Sequence, residues 1–148
     1  MKITAQEEYG LRVLIRLANH EGGLCIAEIS QLEGMTHHNA AKLCRVLRMK
    51  GYILSKKGHE GGYTLALPPE EVVLSDLIRD LGGPLYDKGY CERFTGLNSI
   101  CTNSLDCTVR SLWRLLQDNI DDLLSKLTLR DLIGKEKQVE QHIIDCTK

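Results

Sequence analysis

Three cysteines, Cys91, Cys101 and Cys107, lie within one short polar stretch of the sequence. Deprotonated cysteines bind soft metal ions and iron-sulfur clusters, and such centres typically take four ligands. The gaps between these cysteines are nine and five residues. Zinc sites usually pair cysteines only roughly two to four residues apart. The spacing therefore favours an iron-sulfur cluster over zinc, and a fourth ligand has to come from elsewhere in the chain.

Composition indicates the class of protein that holds these cysteines. The chain has 148 residues, of which 43% are hydrophobic, enough for the core of one domain. The sequence shows neither a leader after Met1 nor the run of roughly 20 apolar residues that a membrane span needs. We therefore predict a cytoplasmic protein without membrane association, whose six cysteines are thiols. Cys25 and Cys44 are expected to be small buried residues rather than ligands.

The charge of the chain is distributed unevenly. Residues 36–63 contain six basic residues and one acidic residue, whereas the segments before and after them are each net negative. The net charge of −1 argues against nonspecific nucleic-acid binding, but a local positive field can still attract phosphate. Any nucleic-acid contact is therefore expected in residues 36–63.

Apolar periodicity predicts three helices before residue 51, joined by tight turns. The first covers about residues 5–20 and begins with the capping-box pair Thr4 and Glu7. The third is capped by Thr36 and ends at Gly51. Two β-like runs follow on either side of a glycine-rich tip at residues 57–62, which predicts a β-hairpin.

The third helix has an apolar face and an opposite polar face that could read DNA. Asparagine pairs with adenine, and lysine or arginine with guanine, in the major groove. For the helix alone, a solvated basic face is the simpler interpretation. The basic hairpin that follows favours DNA binding. The predicted DNA-binding residues are His37, His38, Asn39, Lys42 and Arg45 in the helix, and Lys56, Lys57 and His59 in the hairpin.

Apolar residues recur at helical spacing after the cysteines, from Leu112 to Leu127. A stripe of this length needs a partner surface, so it predicts a long helix that packs against another element or another subunit. No Cys-x-x-Cys and no phosphate-binding glycine loop is present, and no enzyme activity is predicted.

The end of the chain carries weaker signals. Thr128 and Asp131 can cap a short helix. Residues 134–148 are polar and are expected to form a mobile tail. His142 and Cys146 are four residues apart and could bind a metal ion if the tail were helical. Because a mobile tail is the favoured interpretation, these two residues are not assigned to a site.

Four stretches of the sequence resemble the Rrf2 family of winged-helix iron-sulfur transcription regulators, which includes IscR, NsrR and RirA. They are residues 1–9, residues 58–66 in the hairpin, residues 111–114 around the tryptophan, and residues 127–133. The resemblance covers about residues 1–133. It implies a homodimer that binds double-stranded operator DNA, with long helices crossing at the dimer interface. It also implies one 2Fe-2S or 4Fe-4S cluster per subunit.

The fold implied is mainly α with a small β-hairpin, organised as a winged helix-turn-helix domain plus a long dimerisation helix. The expected divisions are the DNA-binding domain in 1–83, the cysteine loop in 84–110, the dimerisation helix with a short helix in 111–133, and the mobile tail in 134–148. Lys57 stands where IscR-like members use a minor-groove arginine.

The resemblance also bears on the fourth ligand. The first gap between the cysteines is longer here than is usual in the family. IscR-like members take a histidine three residues after the last cysteine, but Arg110 occupies that position and cannot deprotonate to act as a ligand. NsrR-like members use a carboxylate early in helix one of the other subunit, where this chain has Glu8. The resemblance thus implies Cys91, Cys101, Cys107 and Glu8 as metal ligands, although Glu8 could instead pair with Arg12.

Three functions remain open at this point. The favoured one is a homodimeric transcription regulator that senses redox state, nitric oxide, oxygen or iron status through an iron-sulfur cluster. The second is a regulator that uses the same cysteines as a metal-free thiol switch or as a zinc site. The third, from a different class, is a small iron-sulfur redox protein.

Overall fold

Residues 2–58 and 61–148, described by a computed structural model, form six α-helices and one antiparallel pair of strands. In chain order the elements are α1 (Ala5–Ala18), α2 (Ile26–Glu33), α3 (His37–Met49), β1 (Ile53–Lys56), β2 (Gly62–Leu65), α4 (Leu74–Gly82), α5 (Thr108–Ser125) and α6 (Glu136–Thr147). Short 3₁₀ helices cover Pro69–Glu71, Cys91–Phe94 and Leu129–Leu132. The mainly α class with a small hairpin is therefore confirmed. None of the helices in these described ranges is long and apolar enough to cross a membrane.

Local capping signals set where the first and third helices begin. The Thr4 hydroxyl accepts a hydrogen bond from the backbone of Glu7, and the Glu7 carboxylate accepts one from the backbone of Thr4. The Thr36 hydroxyl accepts one from the backbone of Asn39. Both caps satisfy backbone N–H groups that have no partner inside the helix, and both predictions are confirmed.

The core lies where α1–α4, the hairpin and the segment after α5 meet. Its fully buried side chains include Leu14, Ile29, Leu47 and Ile53. Cys44 is also fully buried, as predicted, and burial raises the pKa of its thiol to about 11. Cys25 is only partly buried, because it lies at the start of α2 rather than on its packing face.

A cluster of ion pairs joins α1 to the end of α2. The Glu33 carboxylate is 2% exposed, and it lies 2.6 Å from Nε of Arg16 and 2.9 Å from Nε of Arg12. A buried carboxylate without cations nearby would cost several kcal/mol. The two arginines of α1 therefore hold the end of α2 in a defined position.

The hairpin is joined to the start of α2 by a third strand-like segment. Tyr63 exchanges two backbone hydrogen bonds with Leu24, at 2.8 and 3.0 Å. Gly23 has a positive φ of 79°, and a Cβ there would lie 2.7 Å from the Tyr63 carbonyl oxygen, so the close approach requires glycine. The hairpin of β1 and β2, called the wing below, is thus fixed to the helices.

The chain returns to the N-terminal helices after α5. The backbone of Leu74 donates to Leu127, and that of Leu129 donates to Val72, at 2.9 and 2.8 Å. Leu127 and Leu129 are both buried. This pairing places the end of the long helix directly on the first domain.

The last helix, α6, differs from the expectation. Residues 134–148 were expected to form a mobile tail, but Glu136–Thr147 is helical. Ile143 packs against the core, and His142 bonds Asp131 in the preceding 3₁₀ helix. These contacts join residues that are distant in sequence, which is why local pattern did not predict them.

Candidate nucleic-acid interface and cysteine loop

The polar face of α3 is fully presented to solvent. All five residues predicted to read DNA from this helix are exposed: His37, His38, Asn39, Lys42 and Arg45. The opposite face, with Ala40, Leu43, Cys44 and Leu47, is buried. The split of α3 into a packing face and an exposed basic face is as predicted.

The hairpin carries its basic residues beside the start of α3. Lys56 ends β1 opposite Gly62, and both Lys56 and Lys57 are exposed. His37 and Lys56 line one shallow concavity together with Cys25. The predicted contact residue His59 lies outside the described residues. The arrangement gives a continuous exposed surface from the start of α3 to the wing.

The loop before α5 is anchored at both of its ends. At the start, Gln117 Oε1 accepts hydrogen bonds from the backbone nitrogens of Leu85 and Tyr86, at 2.6 and 3.1 Å. The rings of Tyr86, Tyr90 and Phe94 then stack in sequence, with centroids 5.2 and 4.8 Å apart. At the far end the loop runs into the first turn of α5. Gln117 was not predicted, although a glutamine among the apolar positions of α5 was a visible signal.

Cys107 is the residue that caps α5. Its sulfur accepts a hydrogen bond of 3.3 Å from the backbone nitrogen of Arg110. The first turn of a helix carries N–H groups without a partner inside the helix. The sulfur satisfies one of them, so Cys107 is held at the junction between the cysteine loop and α5.

Arg110 reaches back across the cysteine loop. Its guanidinium donates to the carbonyl oxygen of Ser104 at 3.0 Å. Hydrogen bonding to Cys91 raises the pKa of Arg110 above its usual value, with a smaller contribution from the charge of Cys107. Arg110, which stands where IscR-like members have a histidine, thus interacts with two of the three loop cysteines.

The proposed ligand set does not converge within one chain. Cys91, Cys101 and Cys107 are all partly buried. Among residues 2–58 and 61–148, no group of three His, Cys, Asp or Glu side chains is arranged to hold a metal ion. Glu8 is 56% exposed and pairs with Arg12 at 3.7 Å, which is the alternative role recognised from the sequence.

One face of α5 is apolar and exposed. Val109, Leu112, Leu115, Leu116 and Leu123 are each at least 39% exposed. The adjacent face, with Gln117, Ile120 and Leu124, lines the boundary with α4. The predicted apolar stripe is therefore divided between an internal contact and a surface that has no cover within the chain.

Comparison with solved structures relates this architecture to known regulators. IscR of T. potens superimposes with a TM-score of 0.68 at 27% identity, over 89% of this chain and 85% of that one. CymR, described as the global cysteine regulator of B. subtilis, gives 0.66 at 28% identity, over 89% of this chain and 95% of that one. The winged-helix fold is confirmed by this likeness.

The sequence was also compared with protein-family models. The model of the Rrf2 family, described as an iron-dependent transcriptional regulator, matches residues 3–135. The chain belongs to the Rrf2 family. Protein rrf2 of Nitratidesulfovibrio vulgaris is 32% identical over 138 residues, covering 90% of this chain and 87% of the relative. Family membership confirms the resemblance seen in the hairpin and in residues 111–114 around the tryptophan. It makes the chain a transcription regulator.

Proposed function

We propose that this Rrf2-family protein is a homodimeric regulator that binds operator DNA and senses its signal through an iron-sulfur cluster on the cysteine loop. The observation that carries the DNA-binding part is the exposure of all five polar residues on α3. A recognition helix has to offer such a face to the major groove while its other face packs in the domain. Lys56 and Lys57 extend the same surface towards phosphates.

The exposed apolar face of α5 supports the homodimer. Its five aliphatic residues follow one another along the helix, so a second copy of α5 can cover them all at once. Fully burying one leucine or valine side chain contributes about 1.5–3 kcal/mol. In a two-fold dimer the same patch is used by both subunits, so α5 is the proposed dimerisation helix.

The chemistry of the donor set fits a cluster. Three thiols lie in residues 91–107, one of them at a helix N-terminus that favours negative charge. Cys91, Cys101 and Cys107 would hold the cluster, which when bound supplies electron-transfer chemistry and sensitivity to oxidation or loss. Glu8 of the partner subunit is the proposed fourth ligand, since it stands at the position of the carboxylate used by NsrR-like members. The three cysteines form no metal-holding group among the described residues, so in this proposal the loop closes around the cluster when the cluster binds.

A shared ligand set would link the sensing loop to the DNA-binding surface. Glu8 lies in the first turn of α1, and α1 contacts α3 in the core. The loop is in turn tied to α5 through Gln117. Releasing Glu8 would therefore free the DNA-binding domain of one subunit from the loop of the other. Recognition helices of a dimer must match half-sites about 34–36 Å apart, so a small change in domain position would weaken binding.

A metal-free thiol switch is the second candidate, and Arg110 is the observation that favours it. Interactions with Cys91 and Cys107 raise the pKa of Arg110, so a permanent positive charge lies beside two thiols that oxidation could join. In this version oxidation would join loop cysteines and alter the same connection to α5.

The test is anaerobic purification followed by visible absorption, iron, acid-labile sulfide and zinc analysis. Cluster sensing predicts a brown protein that loses its colour in Cys107→Ser, a change that keeps a helix-capping residue. Cys146→Ser is the matched control and should stay brown. A protein that is colourless even after reconstitution with iron and sulfide would overturn the cluster, and its zinc content would then separate the zinc site from the thiol switch.

Glu8 and DNA binding are tested separately. Glu8→Ala should lower cluster occupancy, whereas Glu21→Ala, an exposed acidic residue after α1, should not. Equal occupancy in both would remove Glu8 from the ligand set.

DNA binding is measured by fluorescence anisotropy on duplexes that the protein selects from a random-sequence pool. Failure to enrich any duplex would contradict operator binding whatever the cluster result.

A further inference from the structure

Helix α6 brings a thiol, an imidazole and a carboxylate together at its contact with the preceding 3₁₀ helix. His142 Nε2 lies 2.7 Å from Oδ1 of Asp131. The sulfur of Cys146, one turn along α6, lies 3.5 Å from Nε2 and 3.9 Å from Nδ1 of the same ring. Asp131 belongs to the 3₁₀ helix Leu129–Leu132, so the three side chains meet only because α6 packs against that helix.

The contacts of Asp131 determine which nitrogen of His142 is basic. An ionised carboxylate only accepts hydrogen bonds, so Nε2 must carry the proton that points at Oδ1. In the neutral ring this leaves Nδ1 without a proton. Nδ1, which lies 3.9 Å from the sulfur, is then the nitrogen able to take the proton of Cys146, whereas the nearer Nε2 at 3.5 Å is occupied by Asp131. The proposed transfer therefore requires the exposed Cys146 side chain to turn its S–H group towards Nδ1.

Asp131 is itself held in place and kept charged. Its Oδ2 accepts hydrogen bonds from the backbone nitrogen and the hydroxyl of Thr128, at 2.7 and 2.9 Å. Burial works against the charged form, but the bonds from Thr128 and His142 outweigh it and lower the pKa of Asp131. The neighbouring Leu129 is fully buried, which anchors the 3₁₀ helix. The carboxylate is therefore a fixed support for the imidazole.

We propose that Cys146 is a modification site, a thiol that is oxidised by peroxides with His142 as its base and Asp131 as a positioning residue. A nucleophile, a base and a group that orients the base are the usual components of an activated thiol. Cys146 is exposed, so a small oxidant can reach it.

The step is a two-electron oxidation. His142 takes the thiol proton, and the thiolate sulfur attacks one peroxide oxygen. An S–O bond forms, the O–O bond breaks, and the leaving hydroxide takes the proton from the imidazolium to become water. Cys146 becomes a sulfenic acid, which a low-molecular-weight thiol converts to a mixed disulfide with loss of water.

Metal binding is the competing use of the same residues. In the described ranges, no three His, Cys, Asp or Glu side chains form a metal site. The 2.7 Å contact between His142 and Asp131 is a direct hydrogen bond with no space for an ion between them. Thiol chemistry is the use that this geometry favours.

The experiment follows sulfenic acid formation at Cys146 in the full-length protein treated with hydrogen peroxide and dimedone. Trypsin releases residues 138–148, in which Cys146 is the single cysteine, so the adduct is read by mass spectrometry without interference. His142→Gln keeps a helix-compatible side chain but removes the base, and should slow labelling at least about tenfold. Asp131→Asn should slow it as well, since the Asn amide oxygen can still accept the bond from the backbone of Thr128 but carries no charge to support an imidazolium.

Gln141→Ala is the matched control. It removes a contact with Asp145 on the same helix and leaves Cys146, His142 and Asp131 in place. Its labelling rate should therefore equal that of the wild type. Circular dichroism checks that each variant keeps α6. Equal labelling rates in the wild type, His142→Gln and the urea-unfolded protein would overturn the proposal. The readout is confined to Cys146 and does not depend on an iron-sulfur cluster or on DNA binding.

Discussion

Gln117 Oε1 lies 2.6 Å from the backbone nitrogen of Leu85, across 32 residues of sequence. The contact joins the start of the cysteine loop to the middle of α5. Gln117 is buried, so its oxygen is shielded from competing water. A change in the loop therefore has a direct path to the proposed dimerisation helix.

Replacing Gln117 with leucine should destabilise the protein. The change keeps the side-chain size but leaves the N–H groups of Leu85 and Tyr86 without their acceptor, which costs about 1–3 kcal/mol. Urea unfolding measures the loss. Asp118→Leu, at an exposed position of the same helix, is the control and should change stability little. Equal stability of the wild type and Gln117→Leu would show that the contact does not hold the loop.

A charge on the exposed face of α5 should separate the subunits. Leu123→Glu would place a carboxylate in the proposed interface, where burying it unpaired is costly. Sedimentation analysis should then give a monomer at concentrations where the wild type is a dimer. Ser125→Glu adds the same charge two residues away, outside the apolar face, and should remain dimeric. A monomeric wild type would contradict the dimer.

Lys42→Ala should weaken DNA binding and make it less sensitive to salt. Each phosphate contact that is lost lowers the slope of log affinity against log salt by about 1. Lys126→Ala removes one exposed lysine directly after α5, where it pairs with Asp122 at 2.8 Å. Its slope should match the wild type. If Lys42→Ala also keeps the wild-type affinity and slope, the exposed face of α3 is not the binding surface.

Asp80 should make stability depend on pH in the acid range. It accepts hydrogen bonds from the Tyr52 hydroxyl at 2.8 Å and the Lys50 ammonium at 3.0 Å. These outweigh the effect of burial and lower the pKa of Asp80 below its ordinary 3.8. A lowered folded-state pKa gives stabilisation that is present above the unfolded pKa and is lost as the pH falls through the folded pKa.

The measurement compares the free energy of unfolding of the wild type and Asp80→Asn from about pH 6 to about pH 3. The advantage of the wild type should shrink as the pH falls below 3.8. Asp118→Asn, at an exposed position, should show no such trend. A difference that stays constant across the range would mean that Asp80 titrates alike in the folded and unfolded states.

Cys44 should be inert in the folded protein. Burial raises the pKa of its thiol to about 11, and no reagent reaches a fully buried sulfur. Iodoacetamide at about pH 8 should therefore label Cys44 only after unfolding in urea. Cys146, which is exposed, is the internal comparison. Rapid labelling of Cys44 without urea would show that the core opens locally around α3.

Much of the fold could be predicted from the sequence because its signals are local. The caps at Thr4 and Thr36 act on residues three positions away, and the division of α3 into two faces follows from helical spacing. The hairpin is predicted by its glycine-rich tip. These features also identified the DNA-binding candidates and the family, since they depend on residue type and spacing alone.

Only the tertiary structure decided which distant residues meet. Glu33 with Arg16, Gln117 with Leu85, and His142 with Asp131 are separated by 17, 32 and 11 residues. A helix as short as α6 is marginal by itself and gains its stability from packing, so its polar sequence did not predict it. The three loop cysteines were visible in the sequence, but their relation to Arg110 and to the exposed face of α5 depends on how the helices pack. That packing depends on the burial of apolar side chains throughout the core, so no local sequence pattern predicts it.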